Sequence, residues 1–113
     1  PHEERTAAAL AQSGRTVEFI PRREGNRLKS PDIVMSGVEW EMKAPKASGQ
    51  KALDRVLRRA VRQSCNVVID AVRIEGSADV QIDRDLRKVA PHVKGLKRLI
   101  LVKKNREVID IKR

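Results

Sequence analysis

The chain has 113 residues and a mass of 12.7 kDa, a length typical of one domain with a single core. Its 25 lysines and arginines outnumber its 15 acids, and the net charge of +10 indicates a polyanionic partner, most commonly nucleic acid. The single Cys65 excludes an internal disulfide and a cysteine-based zinc site. No stretch approaches the ~20 apolar residues of a transmembrane helix. We therefore predict one basic domain over residues 1–113, without membrane association of its own, and the first residue, Pro1, suggests a piece of a larger protein.

Helices and strands are predicted to alternate in the order αβββαβαββ. The strands are short alternating or β-branched runs, whereas the second helix has apolar residues at i, i+3, i+4, i+7 and i+8 from Leu53. The segment 21–30 combines Pro, Gly and Asn with several cations and predicts a mobile basic arm. This order predicts an α/β domain with a mixed sheet flanked by helices. The predicted elements are helices over 2–13, 50–63 and 81–93, strands over 16–20, 32–36, 38–43 and 66–72, and two final strands around Lys104-Asn105.

The two strands around Ser36-Gly37 are predicted to form a hairpin with a two-residue turn. This register places Asp32 opposite Glu41, with Lys43 on the same face, and turns Trp40 toward the core. Two carboxylates with Cβ atoms about 4.5–5.5 Å apart repel each other. A divalent cation between them would relieve that repulsion, and so would the ammonium group of Lys43. The third interpretation is a solvated strand edge, where such charges are ordinary.

The second helix is predicted to present a basic face to nucleic acid. Its cations lie opposite its apolar stripe and can follow a phosphate backbone, although a merely solvated charged face is the alternative. Because only Phe19 and Trp40 are aromatic, base stacking is not the main source of affinity. The predicted nucleic-acid contacts are Arg55, Arg58, Arg59, Arg62 and, in the preceding loop, Lys46.

Two further residues receive structural interpretations. Asp70, within the strand predicted over 66–72, is interpreted as part of a salt bridge rather than of the site. Cys65 follows a helix and precedes an apolar strand, so a small buried packing residue is expected there rather than a nucleophile.

The motif Pro31-Asp32, followed by Glu41-x-Lys43 on the next strand, resembles the PD-(D/E)XK nuclease superfamily. The resemblance implies metal-dependent hydrolysis of phosphodiesters on a core of this α/β type. It implies that Asp32 and Glu41 bind Mg²⁺ or another divalent cation and that Lys43 is the catalytic lysine.

The same resemblance implies contributions from two helices. An acid on the first helix often completes the site, and Glu3 and Glu4 are both candidates, because periodicity favours neither. A basic or amide residue at the end of the second helix is the other contribution, and Arg62 and Gln63 are the candidates.

The run from Ser30 to Ile74, SPDIVMSGVEWEMKAPKASGQKALDRVLRRAVRQSCNVVIDAVRI, resembles the C-terminal toxin domains of contact-dependent inhibition (CdiA-type) proteins, which include tRNA-cleaving members. The resemblance implies export within a larger chain, cleavage of tRNA in the cytoplasm of a recipient bacterium and a dedicated immunity protein. A toxin of charge +10 predicts an acidic immunity protein. Two alternatives stay open: the same core cleaves DNA, or the chain is a basic nucleic-acid-binding module without activity.

Overall fold

A six-stranded mixed sheet with helices on both faces forms the fold in a computed structural model, which describes residues 2–20 and 33–113 except for the side chains of His2 and Glu3. The predicted order αβββαβαββ is confirmed, with a single 3-10 turn added after the last helix. The helices are α1 (His2–Gln12), α2 (Gln50–Ala60) and α3 (Asp79–Val89), and the strands are β1 (Val17–Phe19), β2 (Ile33–Met35), β3 (Val38–Lys43), β4 (Asn66–Asp70), β5 (Arg98–Val102) and β6 (Val108–Lys112).

The strands lie side by side in the same order as they occur in the chain. β3, β4 and β5 are parallel to one another, whereas the pairs at both margins of the sheet are antiparallel. The two parallel connections, through α2 and α3, step across the sheet in the same direction. Because such crossovers are right-handed, both helices lie on one face of the sheet.

The core is divided between the two faces of the sheet. On one face, Leu57 of α2 and Leu86 of α3 pack in the same cluster as Val67 of β4. On the other face, Leu10 of α1 packs in a cluster with Trp40 of β3, which is 6% exposed. The predicted place of Trp40 in the core is therefore confirmed, and the sheet is covered on both sides.

The predicted register of the β2–β3 hairpin is confirmed. Met35 pairs with Val38, and the connecting residues Ser36 and Gly37 have φ values of 52° and 81°. Positive φ at both central residues is what a type I′ turn requires. Asp32, its predicted pairing with Glu41 and the predicted basic arm over 21–30 lie outside the described residues.

The solvated-edge interpretation of Glu41 is wrong. β3 lies between β2 and β4, and Glu41 pairs with Val67, so that both side chains point to the face that α2 and α3 cover. Glu41 is only 4% exposed. The error arose because the hairpin alone suggests one wet face, whereas the parallel crossover after β3 buries that face.

Two smaller expectations also change. α2 ends at Ala60 rather than at Gln63, because the amide of Gln63 bonds to the Ala60 carbonyl over a tighter i to i−3 turn. Cys65 is half-buried rather than buried. Within residues 2–20 and 33–113, no helix has the length and apolarity that a bilayer span requires.

Candidate active site

A cleft of about 360 Å³ opens at the carboxyl end of β3. Its wall combines Thr6 of α1, Lys43 of β3, Arg59 of α2 and Arg73 from the segment after β4. Ligands bind outside the carboxyl ends of parallel strands in open α/β sheets, because the loops that leave the strands diverge there. The predicted catalytic lysine therefore lies where this architecture usually places a site.

Lys43, which lines this cleft, forms an ion pair with the buried Glu41. The Lys43 Nζ lies 3.2 Å from the Glu41 Oε2, and the side chains are 38% and 6% exposed, respectively. They are two residues apart on one strand and therefore point to the same face. The buried carboxylate holds the lysine by its ammonium group while part of the lysine side chain reaches the cleft. The sequence predicts that either a divalent cation or Lys43 compensates the charge of Glu41. The contact with Lys43 is observed.

The cleft gathers three cations, Lys43, Arg59 and Arg73. Arginine suits phosphate recognition because its planar guanidinium can donate two parallel hydrogen bonds. Arg59 belongs to the predicted nucleic-acid contacts, whereas sequence reasoning missed Arg73 and Thr6. Both missed residues reach the cleft through tertiary structure, and the only local signal for Arg73 is its position directly after a buried parallel strand.

Among the described residues, the carboxylate of Glu41 lies beside Lys43 of the cleft. No group of three or more His, Cys, Asp or Glu side chains capable of holding a metal exists among residues 2–20 and 33–113. Magnesium normally binds proteins through one or two carboxylates and keeps several water ligands. Of the predicted pair Asp32 and Glu41, only Glu41 is among the described residues.

Asp70 sits one strand away and has a structural role. Its carboxylate accepts two hydrogen bonds of 2.9 Å from Arg106 and one of 2.6 Å from the Thr6 hydroxyl. Burial raises the pKa of Asp70, but the hydrogen bonds from Arg106, Thr6 and the Val72 amide outweigh burial and lower that pKa overall. The predicted salt bridge is thus present, although Asp70 is 1% exposed rather than on the surface.

Glu4 is exposed on α1 and does not line the cleft, although Thr6, two residues later, does. The amino end of α1 therefore lies at the cleft, whereas the described contacts do not link Glu4 to Lys43. The side chain of Glu3, the other candidate on α1, lies outside the described residues.

Gln63 lies at the opposite end of the sheet from Lys43. It is in the turn before β4, where Asn66 donates from Nδ2 to the Glu39 carbonyl at 3.2 Å. Glu39 and Lys43 are four residues apart, about 13 Å along an extended strand. Because α2 runs antiparallel to β3, its end returns to the strand's amino end, and the structure does not bring Gln63 and Lys43 together.

The predicted nucleic-acid contacts separate into three groups. Arg59 lines the cleft, whereas Arg58 is held by Asp54 at 2.9 Å and by the His92 carbonyl at 3.1 Å. The rest belong to an exposed surface around α2 and the loop before it. The remaining predicted contacts, which are exposed and do not line the cleft, are Lys46, Arg55 and Arg62.

A family model confirms the class of protein that the sequence suggests. Residues 29–108 match the model described as contact-dependent growth inhibition CdiA C-terminal domain. The chain belongs to this family of toxin domains.

A solved structure supports the same fold. The chain is similar to a "CdiA-CT/CdiI toxin and immunity complex from Burkholderia pseudomallei", with a TM-score of 0.77 and 22% sequence identity over 99% of this chain and 83% of that one. At this identity the likeness shows the mixed α/β fold. No sequence among curated proteins matches the chain.

Proposed function

We propose that this toxin domain is an endonuclease that hydrolyses phosphodiester bonds in RNA, with tRNA as its principal substrate, and that Lys43 and Glu41 belong to its active centre. The observation that carries the proposal is that Lys43, which forms an ion pair with Glu41, lines one cleft with Arg59 and Arg73. Three cations in one concave site attract a phosphate group, and clustered positive charge stabilises the extra negative charge of a phosphoryl transition state.

Each residue of the cleft has a distinct part in this reaction. Arg59 and Arg73 bind phosphate oxygens on either side of the scissile bond and orient the backbone. Lys43 donates a hydrogen bond to the scissile phosphate, or to the attacking water, and so stabilises developing charge. Glu41 orients the lysine by holding its ammonium group from below. The bound phosphate therefore meets a preorganised set of donors.

We further propose that Glu41 and Asp32 hold a divalent cation, Mg²⁺ in the first instance. When bound, this ion would polarise the phosphate and lower the pKa of a water ligand. The support is that Mg²⁺ prefers one or two carboxylates together with phosphate oxygens, and that Glu41 lies beside Lys43, which lines the cationic cleft.

The remaining parts of the proposal concern the partner and the place of action. The B. pseudomallei structure is that of a toxin with its immunity protein, and this supports a cognate immunity protein for the present chain. The present chain has a net charge of +10, which implies that the immunity protein is acidic. The domain would be delivered as part of a larger protein and would act in the cytoplasm of the recipient bacterium.

The test incubates the full chain with total tRNA and, separately, with plasmid DNA, in the presence of Mg²⁺ or of EDTA. Cleavage of tRNA that stops in EDTA and in the Asp32→Ala variant supports the proposal. Cleavage that persists in EDTA overturns the metal assignment, and cleavage of plasmid alone overturns the choice of RNA. Intact RNA and DNA under all conditions would leave a binding module without activity.

The matched pair for the carboxylate is Glu41→Gln against Glu39→Gln. Both residues lie on β3, but Glu39 is exposed, while Glu41 is buried beside Lys43. We expect the first change to remove most tRNA cleavage and the second to leave it intact.

A further inference from the structure

The α2 helix carries an excess of positive charge that the neighbouring helix α3 lacks. Both helices have 11 residues, but α2 contains four cations and one acid, whereas α3 contains three of each. The acid of α2, Asp54, is already paired with Arg58 at 2.9 Å. The first turn of α2 has no acid and holds Lys51 instead, where a cation opposes the helix dipole.

The cations on the outer side of α2 are close enough to repel one another. Lys51 and Arg55 are four residues apart, and so are Arg55 and Arg59, so successive side chains lie about 6 Å apart along one side of the helix. Like charges at this spacing destabilise a helix. All three side chains are exposed, and none forms an ion pair or a hydrogen bond within residues 2–20 and 33–113. The described part of the fold therefore leaves the repulsion uncompensated, whereas a bound polyanion would relieve it.

This row of cations leads into the Lys43 cleft. The helix lies on the face of the sheet to which Lys43 points, and Val56 and Arg59 of α2 line the cleft together with Lys43. From Arg59, the row continues through Arg55 to Lys51 at the amino end of the helix. A nucleic-acid strand in the cleft therefore meets the row without leaving this face.

Two further cations extend the row past the carboxyl end of α2. Arg62 is exposed in the turn that follows the helix. Lys97 is also exposed, and its amide donates to the Cys65 carbonyl at 2.8 Å, so Lys97 flanks the same turn. Lys51 and Arg62 are about 16 Å apart along the helix axis. We use the name α2 track for the exposed cations of this row outside the cleft, which are Lys51, Arg55, Arg62 and Lys97.

The α2 track lacks the side chains that typically hold single-stranded nucleic acid. Single strands are bound by stacking their bases on aromatic rings, but the chain contains only one Phe, one Trp and no Tyr. Trp40 is buried on the opposite face of the sheet, and Phe19 lies on the marginal strand β1. Cations without aromatic neighbours bind phosphates and read no bases. A base-paired stem suits such a surface, because it presents its phosphates and keeps its bases stacked inside.

We propose that the α2 track binds the phosphate backbone of a base-paired RNA stem beside the cleavage point. The phosphates of one strand lie along the track, and that strand enters the cleft next to Arg59. The track adds affinity and places the scissile phosphate, but it selects no base sequence. This inference rests on the proposed action on RNA and specifies the substrate as an RNA that is cut at or next to a stem.

The first experiment measures the binding of the full chain, in EDTA, to a labelled RNA duplex of about 16 base pairs, the length that double-stranded RNA-binding domains span. The comparisons are one strand of that duplex, a DNA duplex of the same sequence and an RNA duplex of unrelated sequence. We expect the two RNA duplexes to bind equally and about tenfold more tightly than the single strand, because a duplex holds its phosphates densely and in fixed positions. The proposal is wrong if the RNA duplex binds no more tightly than the single strand, binds less tightly than the DNA duplex, or binds in only one of the two sequences.

The second experiment compares two double variants, each of which removes an exposed pair of cations four residues apart on a helix. Lys51→Ala with Arg55→Ala changes the track, whereas Arg84→Ala with Lys88→Ala changes α3 and lowers the net charge equally. We expect the first double variant to bind the RNA duplex about thirtyfold more weakly and to lower the slope of log affinity against log salt by about 2. The α3 double variant should change neither quantity. Equal affinity of the two double variants overturns the proposal.

Urea unfolding separates a lost contact from a damaged fold in the same variants. Alanine favours a helix, and the Lys51→Ala and Arg55→Ala changes remove like-charge repulsion. This double variant should therefore unfold at the same urea concentration as the wild type or at a higher one. Weaker duplex binding together with a lower urea midpoint would assign the loss of binding to the fold and would contradict the proposal.

The track proposal and the nuclease proposal fail in different ways. Duplex binding is measured in EDTA and requires no cleavage, so a chain that binds the duplex through the track but cuts no RNA would keep the track and lose the nuclease proposal. If tRNA is cleaved but the track variant binds the duplex as the wild type does, only the track proposal fails. If both proposals hold, the track variant should raise KM for tRNA cleavage and leave kcat nearly unchanged.

Discussion

Two ion pairs on neighbouring strands have similar chemistry but different roles. They are Lys43–Glu41 on β3 and Arg106–Asp70 at the end of β4. Arg106 grips Asp70 with two hydrogen bonds of 2.9 Å and also donates to the Arg5 carbonyl, so that the pair fastens α1 to the sheet. Lys43 approaches Glu41 to 3.2 Å and lines a cleft with two arginines. A planar, multiply bonded cation fixes structure, whereas a point charge on a flexible stem can turn toward a substrate.

The largest expected difference between the two ion pairs is in their contribution to the rate of tRNA cleavage. We expect Lys43→Ala to lower the rate of tRNA cleavage about 10³-fold, as for loss of a group that stabilises transition-state charge. Lys88→Ala, an exposed lysine of α3 outside the cleft, should retain the wild-type rate. The initial rate of cleavage of a labelled tRNA is measured for each variant at saturating enzyme. Equal rates for the two variants would show that Lys43 does not belong to the active centre.

The next effect concerns stability. Asp70→Asn leaves the partly buried Arg106 without its carboxylate, and we expect the free energy of unfolding to fall by about 3 kcal/mol. The control is Asp110→Asn, because Asp110 is 34% exposed and 3.5 Å from Arg15, and such pairs contribute less than about 1 kcal/mol. Urea unfolding followed by circular dichroism measures both. A smaller loss for Asp70→Asn than for the control would contradict the structural role of the pair.

A third effect appears as the pH falls. The pKa of Asp70 in the folded protein lies below its value of 3.8 in the unfolded chain, so this carboxylate stabilises the fold above about pH 4 and loses that contribution as the pH drops further. The difference in stability between wild type and Asp70→Asn should therefore be constant near neutrality and shrink in acid. Urea midpoints from pH 7 to about pH 3 test this. A difference in stability that grows toward acid pH would mean that folding raises the pKa of Asp70 instead of lowering it.

The smallest expected effect concerns the arginines of the cleft. Arg73→Ala should weaken the binding of tRNA in EDTA about fivefold to tenfold and lower the slope of log affinity against log salt by about 1. Arg87→Ala removes an arginine that pairs with Asp83 at 2.6 Å on α3 and should change neither quantity. An unchanged salt slope in the Arg73→Ala variant would show that this residue does not contact phosphate.

The sequence alone carries much of the fold, because its local patterns agree with one another. The dipeptide Ser36-Gly37 predicts the turn and hence the pairing of Met35 with Val38, which the structure confirms. The burial of Glu41 could not be read in the same way. Glu41 is buried because β3 pairs in parallel with β4 and because α2 and α3 cover this face of the sheet. The sequence of the hairpin itself does not indicate either of these partners.

The candidate site was predictable only where its residues share one strand. Lys43 and Glu41 are neighbours by strand periodicity, so their proximity follows from the sequence. Arg73 and Thr6 come from segments on either side of β3 in the chain, and only the folded sheet brings them to one cleft. Gln63 shows the converse: the helix before it was predicted, although three residues too long, and the direction of α2 relative to β3, which takes Gln63 away from Lys43, depends on the tertiary structure.

The sequential order of the strands has a consequence for folding. Each strand from β1 to β6 pairs with the next one in the chain, so no pairing has to close a loop longer than the connection between successive strands. The entropy lost on closing a loop rises with its length, and topologies dominated by short closures fold faster. Such a topology allows the sheet to assemble progressively, strand after strand, in the order of the chain.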